Sequence, residues 1–151
     1  MRADLSGAQL ERVDLRAALL PYANLRQARL AQTDLRGAKL GAADLTGADL
    51  HDADLRNADC TEAILVGANL SGARLGGIEF FRADLSGANL SNANLRATNF
   101  RDAKVAGADF RGADLTTTIL RETDLTGVDL SGNDLSLTLL PKNFKKPAGG
   151  G

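Results

Sequence analysis

The chain has 151 residues, a length that allows a single domain with a sizeable buried core. Its 18 basic and 19 acidic residues nearly cancel, which excludes a large single-sign field at the level of net charge. One cysteine excludes an internal disulfide and a multi-cysteine zinc site, and no apolar run approaches membrane-spanning length.

A five-residue repeat runs from residue 3 to residue 140 without a slip in register. A large apolar residue stands at every fifth position, and 23 of these 28 centres are leucine. Two positions earlier the residue is small, alanine in 19 of 28 cases, and Asp or Asn is usual between them, as in Ala3-Asp4-Leu5. A repeat of this regularity indicates a stacked solenoid.

Each pentapeptide is predicted to form one very short strand followed by a corner. The Ala and the Leu point inward and the Asp points outward, because side chains alternate along a strand. Glycine is common two residues after the centre, as at Gly7 and Gly47. This is the third position of a four-residue turn, where a type II turn requires a positive φ that glycine adopts without strain.

Departures from the repeat recur every twenty residues, which predicts four pentapeptides in each coil. Replacements of the inward alanine show this spacing, at Ile78, Thr98, Thr118 and Thr138. Phe80 and Phe100 also lie twenty residues apart, in one interior column. Cys60 occupies the same column and is interpreted as a small, buried and unreactive residue.

The A(D/N)Lxx pattern over residues 3–140 resembles the pentapeptide-repeat family. The resemblance implies an all-β fold, a right-handed quadrilateral β-helix with parallel coils in register. Twenty-eight pentapeptides at four per coil give about seven coils. We therefore expect one domain, residues 1–142, followed by a disordered carboxy-terminal tail, residues 143–151.

The third side of each coil, residues 13–17 and their equivalents every twenty residues, carries columns of opposite charge. The arginines are Arg16, Arg36, Arg56 and Arg96, beside aspartates at positions 14, 34, 54, 114 and 134. One interpretation is an anion-binding stripe. The favoured alternative is a lattice of mutually neutralising columns, because the five acidic and five basic residues of this side sum to zero.

The resemblance also implies a competing function. Qnr-type quinolone-resistance proteins and their mycobacterial relatives, which belong to this family, mimic duplex DNA and bind DNA gyrase. A DNA mimic requires dense unpaired negative charge, about one charge per 1.7 Å. The charges of this chain are balanced, so a DNA-mimic modulator of gyrase is kept as an alternative and is not the favoured function.

Residues suited to catalysis are scarce. His51 is the only histidine, and with Asp49 and Asp52 it could form at most a weak metal site; a solvated side chain is the favoured interpretation. One His and one interior Cys cannot assemble a Ser/His/Asp or Cys/His group. We therefore expect no enzyme activity, no metal and no cofactor. Direct nucleic-acid binding is not expected either, because aromatic residues are few and no basic stripe is left unpaired.

Apolar residues at outward positions mark candidate partner-binding sites, because the repeat itself does not require them there. On the fourth side, residues 18–22 and equivalents, Phe81 is expected to be exposed in one column with Arg101 and Arg121. The candidate contacts, on the first and fourth sides, are Ile64, Val66, Phe81, Arg101, Ile119 and Arg121. A local cation–π contact between Phe81 and Arg101, with no role in binding, is the favoured interpretation of Phe81, and partner binding is the alternative.

Both ends of a solenoid need covering, because a terminal coil offers open backbone groups to another chain. Near the start, Leu19, Pro21 and Tyr22 are expected to face outward, and residues 141–144 are interpreted as a stop that folds over the last coil. The candidate cap or dimer contacts are Leu137, Leu139, Leu140 and Phe144. An end-to-end homodimer is the alternative to a cap.

The sequence thus predicts a non-enzymatic, cytoplasmic interaction scaffold that binds an unidentified protein partner and has no membrane segment. Two alternatives stay open. One is the modulator of DNA gyrase, and the other is an engineered or minimal β-helical rod without a natural partner.

Overall fold

The computed structural model describes residues 2–145, and the rest of the predicted tail, residues 146–151, lies outside the described residues together with Met1. Most pentapeptides contribute a β segment one residue long, at the outward position that Asp or Asn usually occupies. Within the described range no helix is long and apolar enough to cross a membrane. The architecture is built from β bridges and turns alone over these residues.

Parallel bridges join residues twenty positions apart, from Asp4 with Asn24 to Ile119 with Leu139. One coil therefore contains four pentapeptides, and the twenty-residue period expected from the sequence is confirmed. We number the four sides by their first residues in the first coil. Side 1 starts at residue 3, side 2 at residue 8, side 3 at residue 13 and side 4 at residue 18.

In the middle of the rod, the central residue of each side bonds to the preceding coil through both of its backbone groups. The Asn24 N–H donates to the Ala3 carbonyl at 2.8 Å, and the Asn24 carbonyl accepts from the Leu5 N–H at 2.7 Å. A corner begins directly after the centre leucine, so the ladder cannot lengthen. The strands expected from the Ala-Asp-Leu pattern are for this reason single bridged residues.

Corners close with a hydrogen bond of the type expected for a four-residue turn, such as the Ala8 N–H to the Leu5 carbonyl at 3.0 Å. The third position of the turn has a positive φ, 63° at Gly7, which confirms the expected backbone conformation. Many corners hold another residue type there, including Ala17 and Thr117, both with φ 54°. Those L-residues adopt the left-handed region against their own preference.

The inward alanine and leucine columns fill the interior, with Leu50 and Leu75 fully buried. Where phenylalanine replaces leucine, the rings pack on each other. Phe100 stacks on Phe80 with ring centroids 5.3 Å apart and meets Phe110 edge-on at 5.9 Å. The four centre leucines of the first coil are only half-buried, because the described residues include no coil before them.

Threonines in the inward alanine column are buried without leaving a polar atom unpaired. The Thr98 hydroxyl donates to the Leu75 carbonyl at 2.8 Å, and the Thr118 hydroxyl donates to the Leu95 carbonyl at 2.7 Å. Each buried hydroxyl is therefore hydrogen-bonded to the backbone carbonyl of a centre residue in the preceding coil.

The last coil, residues 123–142, is attached partly through side chains. Ile119 bridges to Leu139 on side 4, whereas within residues 2–145 Asp129 on side 2 makes no bridge to the coil before it. On side 3 the Asn133 amide donates to the carbonyls of Phe110 at 3.0 Å and Ala113 at 3.1 Å. The end of the rod is therefore less regular than its middle.

Candidate protein-binding surface

Aspartates and arginines on side 3 form a regular lattice of ion pairs. Asp14 accepts two hydrogen bonds from the Arg16 guanidinium, at 2.9 and 2.7 Å, and the pair Asp34 and Arg36 repeats the same geometry one coil later. The side-chain hydrogen bond from Arg16 holds the pKa of Asp14 at about 2. The arginine column is therefore neutralised within its own side, as the lattice interpretation expected.

Ion pairs also join successive coils. Arg16 lies 3.9 Å from Asp34, and Arg29 lies 2.7 Å from Glu11 of the preceding coil. Exposed pairs of this kind stabilise a fold by about 0–1 kcal/mol each. Their main consequence here is that the carboxylates of Asp14, Asp34 and Glu11 each lie beside an arginine.

The outward Asp or Asn also organises the corner that follows it. The Thr46 backbone N–H and hydroxyl both donate to one Asp44 carboxylate oxygen, at 3.0 and 2.6 Å. Asp and Asn bond to the backbone two residues on in this way because their side chains are short. Where the corner residue is arginine, the same carboxylate also accepts hydrogen bonds from the arginine guanidinium.

Side 4 departs from this pattern towards the carboxy-terminal end. Its outward position holds Asn99, then Ile119, then Leu139, so no carboxylate precedes the corner. Arg101 still donates its backbone N–H to Asn99 at 3.0 Å, but its guanidinium lies 3.8 Å from Glu122. Arg121 follows Ile119 and has no ion pair among the described residues.

A cavity of about 580 Å³ lies at this corner. Its lining consists of Arg101, Arg121, Glu122, Leu140, Pro141, Lys142 and Asn143. Three cations thus face one carboxylate, in contrast to the paired charges of side 3. We call Arg101, Arg121 and Lys142 the arginine corner.

An apolar strip accompanies the arginine corner. Ile119 and Leu139 are bridged neighbours on side 4, and each comes two residues before the corner position of its coil. Ile119 is half-buried, and the Leu139 side chain is 41% exposed. The structure therefore brings Arg101, Arg121 and Ile119 of the expected contacts together with Leu139 and Leu140 of the expected end residues.

Phe81 does not behave as the sequence suggested. It is half-buried rather than exposed, and the guanidinium over its ring is that of Arg82, 4.9 Å from the ring centroid, and not that of Arg101. Arg82 follows Phe81 directly and has a left-handed backbone with φ 56°, whereas the Arg101 guanidinium lies by Glu122. The expected Phe81–Arg101 contact is wrong for this reason.

The remaining expected contacts lie elsewhere. Ile64 is 39% exposed on side 1, where it bridges Asp44 and Asp84, and Val66 is half-buried at the following corner. Neither residue lines the cavity at the arginine corner. They are separate apolar positions on a polar side.

The end residues divide into a covering group and an exposed group. Phe144 packs against the core, and its N–H donates to the Pro141 carbonyl at 3.1 Å. Together with Leu125 and Val128 it lines a second cavity of about 460 Å³. Leu137, in contrast, is 62% exposed.

Lys142 and Glu122 were missed by the sequence reasoning. Lys142 comes two residues after the last centre, Leu140, and was not among the candidate contacts. Lys142 and Glu122 are twenty residues apart and therefore belong to one column, beside Arg121. This spacing could have identified both residues from the sequence.

His51 lies at a corner of side 2, beside a carboxylate. Its Nδ1 is 2.8 Å from an Asp49 oxygen, at the corner where an arginine stands on side 3. Among the described residues no three His, Cys, Asp or Glu side chains are grouped as metal ligands. The geometry of His51 is that of a corner residue.

A family model for pentapeptide repeats matches the chain in eight copies, over residues 1–37, 43–80, 78–116 and 110–140. The chain belongs to the pentapeptide repeat family. A comparison with curated protein sequences finds no match.

Solved structures of pentapeptide repeat proteins resemble the chain. One, from the thylakoid lumen of Arabidopsis thaliana, is 32% identical with a TM-score of 0.50, over 61% of this chain and 68% of that protein. A trypsin-treated variant of QnrB1, a plasmid-mediated fluoroquinolone resistance protein, is 20% identical with a TM-score of 0.55, over 94% of this chain and 78% of the QnrB1 chain. The second likeness concerns the fold alone.

Proposed function

We propose that this pentapeptide repeat protein is a non-enzymatic interaction scaffold that binds another protein through the arginine corner. The observation that carries the proposal is the combination, among the described residues, of two cations without an ion-pair partner and an exposed apolar residue at one corner of the rod. On side 3, Arg16, Arg36 and Arg56 each lie 2.6–2.7 Å from an aspartate. Arg121 and Lys142, in contrast, have no ion-pair partner within residues 2–145. Protein interfaces are enriched in arginine, and exposed apolar patches mark interaction sites.

We also infer the finer description of the rod from the family resemblance. It is a right-handed quadrilateral β-helix of about seven coils. At about 4.8 Å between hydrogen-bonded strands, this rod is roughly 34 Å long.

Affinity capture tests the proposed function. The rod, an Arg101→Ala/Arg121→Ala variant and an Arg16→Ala/Arg36→Ala control are immobilised, and proteins retained from bacterial and plant extracts are quantified by mass spectrometry. The proposal expects a set of proteins that the control retains and the corner variant loses. Equal retention by all three would show that the arginine corner takes no part in binding.

Self-association through the last coil is a second proposal, and it rests on exposure. Leu137 and Leu139 are 62% and 41% exposed, and both lie on the last coil. An end-to-end homodimer would remove them from water. Light scattering on the rod and on a Leu137→Ser/Leu139→Ser variant tests this, because the dimer mass should appear only for the parent.

The alternative of a DNA mimic has less support. A mimic needs unpaired carboxylates along one side, whereas Asp14, Asp34, Asp54 and Asp109 each lie 2.6–2.7 Å from an arginine. The likeness to QnrB1 is one of fold at 20% identity. A gyrase assay decides between the two functions.

A further inference from the structure

The arginine corner holds more positive charge than its neighbours compensate. Arg101 and Arg121 occupy the same corner position in successive coils, which places their backbones about 4.8 Å apart. Glu122 approaches Arg101 at 3.8 Å and is itself exposed. Two like charges stacked in this way repel each other, and an anion placed between them relieves that repulsion.

The ligand also has to suit the apolar strip. Ile119 and Leu139 lie on the same side of the rod as the arginine corner, and Leu140 and Pro141 line its cavity. A small inorganic anion would leave these residues in water. A ligand with both carboxylates and apolar side chains uses the cations and the strip together.

Nucleic acid suits this surface less well. Duplex DNA carries about one negative charge per 1.7 Å, and its binding surfaces follow the backbone with many cations. Here Glu122 lines the cavity and Asp102 lies exposed at the preceding corner. A continuous phosphate chain would meet both carboxylates, whereas a peptide can place its acids at the arginines alone.

We propose that the arginine corner binds a short extended acidic segment of a partner protein, with carboxylates on Arg101 and Arg121 and an apolar side chain on Ile119 and Leu139. The proposal rests on the proposed scaffold function and adds the chemistry of the partner. Lys142 contributes a further cation at the mouth of the cavity.

Fluorescence anisotropy with a labelled peptide, in which glutamates flank a central leucine, tests this chemistry. Arg101→Gln/Arg121→Gln is expected to weaken binding by about tenfold, or about 1.4 kcal/mol, because two charge-assisted contacts are lost. Arg16→Gln/Arg36→Gln is the matched control, since it changes the net charge equally and is expected to alter affinity by less than about twofold. Circular dichroism establishes that both variants remain folded.

Four results would overturn the proposal. Equal weakening in both variants would indicate unspecific attraction, and unchanged binding of the matched peptide with glutamine for glutamate would exclude carboxylate recognition. Tighter corner-dependent binding of a DNA oligonucleotide would assign the corner to nucleic acid. Absence of peptide binding, with extract proteins still captured through the corner, would remove the acidic-segment inference and leave the scaffold function standing.

Discussion

The phenylalanine cluster provides a graded test of the interior. Phe100 is fully buried between Phe80, which it meets face to face at 5.3 Å, and Phe110, which it meets edge-on at 5.9 Å. Replacement by leucine, the usual residue of this column, keeps an apolar side chain there and removes the ring contacts. Phe100→Leu removes two ring pairs, whereas Phe80→Leu and Phe110→Leu each remove one.

The expected loss of stability follows from this count. An aromatic pair contributes about 0.5–1.5 kcal/mol beyond the apolar area it buries. Phe100→Leu should therefore lower the free energy of unfolding by about 1–3 kcal/mol from ring pairs, and each of the other two by about half of that. The smaller volume of leucine adds a similar cavity term in all three variants, so the order is preserved.

Urea unfolding followed by circular dichroism measures these differences, provided that the slope of free energy against urea is the same for all four proteins. The double variant Phe80→Leu/Phe100→Leu is the internal control. It should lose less than the sum of its single variants, because both remove the same 5.3 Å contact. The reasoning is refuted if Phe100→Leu costs no more than Phe80→Leu or Phe110→Leu.

Three further predictions concern the corners, the charges and the cysteine. Thr117→Gly should stabilise the rod by about 1 kcal/mol in urea unfolding, because glycine adopts the left-handed backbone without strain. Gly67→Ala should destabilise it by a similar amount, because Gly67 has φ 65° and open space around it, so that only the backbone conformation opposes the substitution. A hydrogen bond from the Arg111 side chain lowers the pKa of Asp109 to about 2. As the pH falls, Asp109 is protonated in the unfolded chain before the folded one, so the free energy of unfolding should decrease from about pH 4 to pH 2. The decrease should be less steep in Asp109→Asn, and an unchanged pH profile in that variant would contradict this. Burial raises the pKa of the Cys60 thiol above its ordinary range, so a thiol reagent should react only in denaturant, and rapid native reaction would contradict the interior position.

Repetition made most of the fold predictable from the sequence. A single pentapeptide gives a weak signal, but its spacing recurs so often that the inward column, the corner and the twenty-residue coil follow together. Cys60, expected to be interior because of its column, is fully buried. The corner conformation also followed from glycine at positions such as Gly7, where φ is 63°.

Features set by side-chain direction could not be predicted. The sequence places Phe81 and Arg101 in one column, but the left-handed corner brings Arg82 over the ring instead. The inward threonines were visible as substitutions, yet only coordinates show that Thr118 donates to the Leu95 carbonyl. The column position of a residue does not determine its side-chain rotamer, so it cannot predict which hydrogen bond the side chain makes.

The candidate site was predictable only in part, because it lies where the repeat ends. Arg101, Arg121 and Ile119 stood out against a regular background. Lys142 lies beyond the last centre residue, so its part in the same cavity depends on how the chain leaves the final coil. A repeat pattern carries no information about that path.

A gyrase supercoiling assay with the purified rod titrated in, with and without a quinolone, tests most directly the claim that paired charges make this a scaffold rather than a DNA mimic. We expect no inhibition of supercoiling and no protection from the drug, because Asp14, Asp34 and Asp54 of side 3 are each bound to an arginine of the same corner. Inhibition or protection at micromolar protein would contradict the account, and would mean that the shape of the rod suffices for gyrase without an unpaired acidic side.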